Sequence, residues 1–170
     1  MAWTSGPLAG MPGADGPELK NFDPLKLAEN SPEWVPWFRE AELKHGRIAM
    51  LAAAGYAAVD LGVTLPDHAG IGSFAAHNSA VASGAMVQIL IWTSILEHVT
   101  LNAVTKGLKD GTHTPGNYMF NPLGFGKTAK DMEKLKVNEL KNGRLAMMAI
   151  SGMVTADALT GGHGFPYTGN

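Results

Sequence analysis

The chain has 170 residues, a formal net charge of −2 and no cysteine. That length suits one domain or a small bundle, the charge argues against a nucleic-acid partner, and the missing thiols exclude disulfides, thiol catalysis and cysteine-based metal sites. Charged residues make up 16%, below the ~25% of ordinary globular chains, while glycine reaches 21 residues.

In chain order, the opening "MAWTSGPLAGMPGADGPEL" lacks both the basic, apolar pattern of a signal peptide and the Arg-rich pattern of a transit peptide. Residues 1–30 read as a mature, loop-like start from which a targeting segment has been removed. "SPEWVPWFREAELKHGR" then offers Ser31 as an N-cap and Pro32 in the first turn. It predicts a first helix over about 33–62, with Trp34 and Trp37 near a membrane interface. "LPDHAGIG" is a Pro/Gly-punctuated loop. A second helix over about 79–105 carries the charge-free run "AVASGAMVQILIWTSIL". "GTHTPGNYMFNPLGFG" is another loop, and a third helix is expected over about 131–159. No useful alternation of apolar and polar residues predicts a strand. The expected class is all-α, a single three-helix domain over 1–170.

No apolar run reaches the ~20 residues of an ordinary spanning helix, so hydropathy alone leaves a soluble helical bundle open. The cations decide for the membrane. All 13 Lys and Arg lie in 20–47 and 106–144, and the loop between the first two apolar runs has none. A chain that crosses a bilayer three times sorts its cations to one face in this way.

The chain also repeats itself. "ELKHGR" (Glu42 to Arg47) and "ELKNGR" (Glu139 to Arg144) each open an apolar run, and "FDPL" (Phe22 to Leu25) and "FNPL" (Phe120 to Leu123) precede them by similar distances. Parallel repeats of this kind imply a pseudo-two-fold axis along the membrane normal, relating helices one and three. Gly46, Gly143, Ala49 and Ala146 supply small surfaces for a close crossing.

Glu42 and His45 are three residues apart and share a helix face. Arg47 stands about 140° round the helix from Glu42, a poor geometry for an intrahelical pair. The repeat supplies better partners: Arg47 for Glu139, and Arg144 for Glu42. An unpaired charge at membrane depth costs at least ~2.5–3.5 kcal/mol, which interhelical pairs offset. Lys44 and Lys141, near the helix ends, can snorkel to the surface. Each neutralised glutamate keeps a lone pair. A glutamate oxygen, the His45 nitrogen and the Asn142 oxygen then share one ability, to donate a single axial bond towards an apolar cofactor with one open metal position. Magnesium takes oxygen or nitrogen donors, so a chlorophyll needing a fifth ligand fits all of them. Taken singly, a His at a helix end reads as a cap, and a Glu–Arg pair as structural. The two matched copies favour ligands.

"REAELKHGRIAML" and "VNELKNGRLAMMA", with "FDPL" and "FNPLGF" ahead of them, resemble the light-harvesting chlorophyll-binding proteins of chloroplast thylakoids, over roughly residues 20–160. The short loops and "QILIWTSILEH" are most similar to the algal chlorophyll a/c branch of fucoxanthin or peridinin type, and the alanine-rich first helix leans towards the peridinin side. The resemblance implies Glu42, His45, Glu139 and Asn142 as axial ligands of chlorophyll magnesium, and Arg47 and Arg144 as the arginines paired with the glutamates. It implies Gln88 and Glu97 as ligands on opposite faces of the middle helix, with an interhelical hydrogen bond as the other reading of Gln88. Phe22, Asp23, Pro24, Leu25, Phe120, Asn121, Pro122 and Leu123 would hold carotenoid end groups. The implied cofactors are chlorophyll a, chlorophyll c and carotenoids (peridinin or fucoxanthin, with diadinoxanthin). The implied partners are thylakoid lipids, neighbouring antenna subunits and a photosystem core, photosystem I being favoured. The N-terminus would be stromal and the C-terminus lumenal.

One position departs from the family. A glutamine ligand late in helix three is replaced by Ala156, which cannot ligate. His163 is either a peripheral ligand or an exposed loop residue, and His68, His77, His98 and His113 receive no role. The activity implied is light harvesting without catalysis. A photoprotective member of the same family and a pigment-free membrane scaffold or small transporter are the competing readings. A soluble enzyme is remote, since no hydrolase triad, nucleotide loop or HExxH motif is present.

Overall fold

The computed structural model describes residues 8–14, 22–66 and 69–161. Among these, every regular element is helical. The first is a single turn, α1 (Leu27–Asn30). Asp23 organises it: its carboxylate accepts the backbone N–H of Leu27 at 3.0 Å and of Ala28 at 2.8 Å, two donors that a helix start would otherwise leave unsatisfied.

A 3-10 turn, Pro32–Trp34, leads into the long helix α2 (Val35–Asp60). The expected Ser31 cap is not formed. Its side chain makes no capping hydrogen bond, and Pro32 opens the turn instead. Proline has no N–H to satisfy there and its φ is already set for a helix. Trp34 and Trp37 pack edge to face, with ring centroids 6.4 Å apart.

The single helix expected over about 79–105 is two helices, α3 (Ser73–Ala82) and α4 (Ala85–Asn102), followed by a π-helical turn, Ala103–Gly107. Gly84 separates them with φ +80, a conformation open to glycine and costly for residues with a Cβ. The last helix, α5 (Ala129–Thr160), begins at a side-chain N-cap, Thr128. Thr128 Oγ1 accepts the Asp131 N–H at 3.1 Å and donates to the Asp131 carboxylate at 2.7 Å.

Among the described residues one segment, Ala85–Gly107, is by length and composition long and apolar enough to cross a membrane, and almost none of it is buried. At ~1.5 Å per residue, α2 and α5 run about 39 Å and about 48 Å. Their charged N-terminal halves keep them from qualifying on composition.

The chain divides into two compact units. The first comprises residues up to Gly46 together with Ala103–Arg144, and the second comprises Arg47–Asn102 and the residues from Leu145 onward. Every Lys and Arg except Arg47 belongs to the first.

In the first unit α2 and α5 touch backbone to backbone. A Cβ added to Gly46 would lie 3.0 Å from the Gly143 Cα, and one on Gly143 equally close to the Gly46 Cα. Any side chain there would force the helices apart, which is why both hexamers carry glycine at this place. Leu140, one turn earlier on α5, is buried and faces Gly13.

In the second unit two carboxylates at matched positions of the repeat meet the first residue of α3. Asp60 accepts the Ser73 N–H at 3.3 Å. Asp157, fully buried, accepts the Ser73 hydroxyl at 3.3 Å and the Tyr56 hydroxyl at 2.6 Å. Negative charge at a helix N-terminus is favourable, so this pair fixes where α3 starts.

What the described residues lack is an ordinary core. The buried apolar side chains are Ala14, Ala28, Val35, Ala49, Val104, Leu140 and Ala146, and the two largest fully buried side chains are acids, Glu40 and Asp157. The large apolar residues of α4, from Val87 to Leu101, are exposed.

Candidate functional site

All of the first hexamer but Arg47 lies within the first unit, and Glu42 is its electrostatic centre. Arg144 Nε donates to Glu42 Oε1 at 2.7 Å. This is the interhelical pair expected from the 140° offset within each hexamer. Arg39, unremarked in the sequence, donates from Nη1 to Glu42 Oε2 at 2.8 Å. Its spacing of three residues from Glu42 was the available signal, and the second copy has Lys136 at the matched position. Side-chain exposure is 11% for Arg39, 27% for Glu42 and 36% for Arg144. Arg144 also donates from Nη1 to the Gly13 carbonyl at 3.3 Å, tying down the N-terminal segment. Two guanidinium groups thus pair with Glu42, and each of its oxygens, having accepted one N–H, keeps a second lone pair.

His45, one turn on, is exposed, and its Nδ1 lies 2.8 Å from the Ala41 carbonyl. A carbonyl can only accept, so Nδ1 carries the proton. In the neutral ring the Nε2 lone pair is therefore directed away from the helix, the state a metal ligand needs. In the second hexamer Asn142 is exposed and makes no hydrogen bond among the described residues. Glu139 and Arg47 each have an interaction partner.

A second carboxylate, Glu40, is 2% exposed and was also missed. It accepts the Gly116 N–H at 2.6 Å and the Tyr118 hydroxyl. His113 Nε2 lies 3.5 Å from Glu40 Oε2, close enough for charge attraction but not directed as a hydrogen bond. Lys44 stands 5.7 Å above the Tyr118 ring, a cation–π distance. Helix α2 thereby grips residues 113–118, the stretch that leads into "FNPL".

The two F-[DN]-P-L segments use one device. Asn121 Oδ1 accepts the Phe125 N–H at 3.1 Å while its amide donates to the Phe125 carbonyl at 2.9 Å. Asp23 likewise accepts the N–H four residues ahead. Each acid or amide closes its own loop and leaves the flanking apolar residues outside. Phe22, Leu25, Phe120 and Leu123 are all exposed, Phe120 to 87%.

On α4, Gln88 is exposed and without a hydrogen bond among the described residues, while Glu97 is exposed and has a partner. Ala156, on α5, offers no donor. His163 and His68 lie outside the described residues. Among the described residues no three His, Asp or Glu side chains gather to hold a bare metal ion. The donors are not gathered into one cluster, and this suits a cofactor that brings its own four equatorial metal ligands and an apolar body.

Comparison with known proteins agrees in kind. The family model described as chlorophyll A-B binding protein matches residues 5–158. A fucoxanthin-chlorophyll a-c binding protein of Chattonella marina var. antiqua is 36% identical over 149 residues, covering 85% of this chain and 67% of that protein. The photosystem I chlorophyll a/b-binding protein 5 of Arabidopsis thaliana is 33% identical, over 82% of this chain and 62% of its own length. The light-harvesting complex stress-related protein 1 of Chlamydomonas reinhardtii is 33% identical, over 86% of this chain and 64% of its own. The chain thus spans about two thirds of the length of these relatives.

Proposed function

Since the chain belongs to the chlorophyll a/b-binding protein family, whose members are non-catalytic, pigment-binding antenna proteins of the chloroplast thylakoid membrane, we propose that it is a three-span light-harvesting subunit. It binds chlorophyll a, chlorophyll c and carotenoids of the peridinin or fucoxanthin type with diadinoxanthin, and hands excitation to neighbouring antenna subunits and a photosystem, photosystem I by preference. The single observation that carries this reading is the His45 imidazole. Its Nδ1 is committed to the Ala41 carbonyl, which leaves Nε2 as the acceptor nitrogen of an exposed ring, three residues from the arginine-paired Glu42.

In this reading Glu42, His45, Glu139 and Asn142 are the axial ligands, Gln88 and Glu97 serve pigments on opposite faces of α4, and Arg144 and Arg47 offset the glutamate charge. Bound chlorophyll supplies visible absorption and an excited state. The residues set pigment spacing and tilt, and exclude water from the magnesium. Phe22–Leu25 and Phe120–Leu123 hold carotenoid end groups, the second loop being positioned by Glu40. The test is reconstitution of the full chain with the pigments of a chlorophyll a/c alga. Light absorbed by carotenoid and chlorophyll c is expected to emerge as chlorophyll a fluorescence. A complex that binds pigment but shows no such transfer would overturn the harvesting role.

Similarity to a protein named as stress-related, at 33% identity, favours dissipation as the second reading. A chlorophyll fluorescence lifetime in membranes that is much shorter than in detergent would select it.

His45→Leu is expected to lose one chlorophyll per chain and keep the fold, because leucine fills volume but offers no lone pair. An unchanged chlorophyll-to-protein ratio would make His45 structural.

In this reading the N-terminus and residues 106–136 face the stroma and the C-terminus the lumen, supported by the confinement of all Lys and Arg to 20–47 and 106–144. Protease added outside intact thylakoids is expected to cut the second loop. Cleavage within 61–72 instead would reverse the topology.

A further inference from the structure

Helix α4 carries a polar group that none of the roles above uses. The apolar segment Ala85–Gly107 has 23 residues, and His98 lies two residues past its midpoint, about 3 Å along the axis at ~1.5 Å per residue. The imidazole is exposed and makes no hydrogen bond among the described residues. The threonines of the same helix behave otherwise. Thr93 Oγ1 donates to the Ile89 carbonyl at 2.9 Å and Thr100 Oγ1 to the Leu96 carbonyl at 3.2 Å. Both threonines are satisfied by their own helix; the imidazole, four residues from the Ser94 carbonyl, is not.

If Ala85–Gly107 spans the bilayer, His98 stands at the depth where no water reaches it. An ionisable side chain there is a functional site by default, and its partner has to come from outside the helix. Its surroundings limit what that partner can be. Ile91, Ile95 and Leu101, at offsets of seven, three and three residues, share its side of α4 and are exposed. Ser94 and Asn102, four residues to either side, share that side and are exposed too, so a donor nitrogen flanked by isoleucine and leucine with a polar residue one turn above and below suits a flat, largely apolar body with one acceptor position at its centre. His45 shows how this chain prepares an imidazole, with Nδ1–H given to the carbonyl four residues back. Ser94 stands at the same offset from His98.

We infer that His98 is a further axial ligand, binding the magnesium of a chlorophyll through one ring nitrogen, at a site separate from that of Glu97. The two residues are consecutive, so their side chains leave the helix about 100° apart and address different pigments. The inference rests on the reading of the chain as a pigment-binding, membrane-spanning protein.

The test counts pigments. The full chain and its His98→Leu, His98→Gln, Glu97→Leu and Glu97→Leu/His98→Leu variants are reconstituted with one pigment extract, and chlorophyll per chain is measured after extraction. His98→Leu is expected to lose one chlorophyll and His98→Gln, which restores a donor, to regain it. The double variant is expected to lose one more than Glu97→Leu. An unchanged count in His98→Leu overturns the inference, and so does a double variant that loses no more than Glu97→Leu. Should His98→Leu keep its pigments but change its oligomeric state on sizing, the imidazole meets a second copy of the chain and the inference fails. A wild-type chain that takes up no pigment sinks the antenna reading itself, which separates the two failures. If His98→Leu does not fold, His98→Phe provides the donor-free variant with a ring in place.

Discussion

Refolded in detergent without pigment, the chain is expected to form helices but not a fixed tertiary structure, and to gain a cooperative melt when chlorophyll and carotenoid are added. The reason is the core. Among the described residues, four of the buried apolar side chains are alanines, and the only larger ones are Val35, Val104 and Leu140. Full burial of a Val or Leu stabilises by about 1.5–3 kcal/mol, so the three contribute less than about 10 kcal/mol. Ordering the backbone costs ~1–2 kcal/mol per residue. The close approach at Gly46 and Gly143 brings two backbones together but has no side-chain volume to fill the space beside them. Pigments bound only to the folded state supply that volume and shift the equilibrium. One site at a thousandfold excess over its Kd contributes ~4 kcal/mol, about 8–16 °C in Tm at ~2–4 °C per kcal/mol for a chain of this size. Near-UV and far-UV circular dichroism through a thermal scan make the measurement. Equal helicity and equal melting with and without pigment would mean that the protein holds itself together.

The elements of this behaviour were unequally visible in the sequence. The Arg144–Glu42 pair was legible because two facts converge: residues five apart on a helix diverge by 140°, and a second copy of the hexamer supplies the missing partner. Arg39 was less legible although Lys136 repeats its charge, because it lies outside the repeated hexamer and a surface-spaced Arg–Glu pair on one helix reads as an ordinary solvated pair. The same limit hid Asp60 and Asp157, which sit at matched places in the two copies and meet at Ser73. Glu40 is a different case. Val137 occupies its place in the second copy, so the repeat carries no trace of it, and its partners at 113–118 come from a distant loop. The break between α3 and α4 was written in "ASGAM", but an isolated glycine within a charge-free run reads equally as a tolerated helical residue. Only the positive φ of Gly84 decides the matter.

The charge cluster at Glu42 yields the sharpest expected result, which lies in the order of four variants. Arg144→Leu removes a 2.7 Å charge-assisted bond, a type that contributes ~1.5–3 kcal/mol. With Arg144 36% exposed and Arg39 still in place, the low end, about 1.5 kcal/mol, applies. The loss is expected at the Glu42 pigment and not at Glu139, five residues before Arg144 on its own helix. Arg39→Leu/Arg144→Leu strips both guanidiniums and leaves a half-buried carboxylate without a counter-charge. Breaking such a pair outright costs ~3–5 kcal/mol, and protonation, the only relief, converts a ligand oxygen into a hydroxyl. This double variant is expected to lose the Glu42 pigment and to reconstitute poorly. Adding Glu42→Gln to it removes the stranded charge while keeping an oxygen for magnesium, so the triple variant is expected to recover pigment yield that the double variant lost. Glu42→Gln alone, with both arginines present, is expected to be worse than in that background, because two guanidiniums then face each other across a neutral amide. Pigment yield across the set closes a double-mutant cycle. Simple additivity would show that Arg39, Glu42 and Arg144 do not act on one another, and the site would have to be rebuilt on other charges.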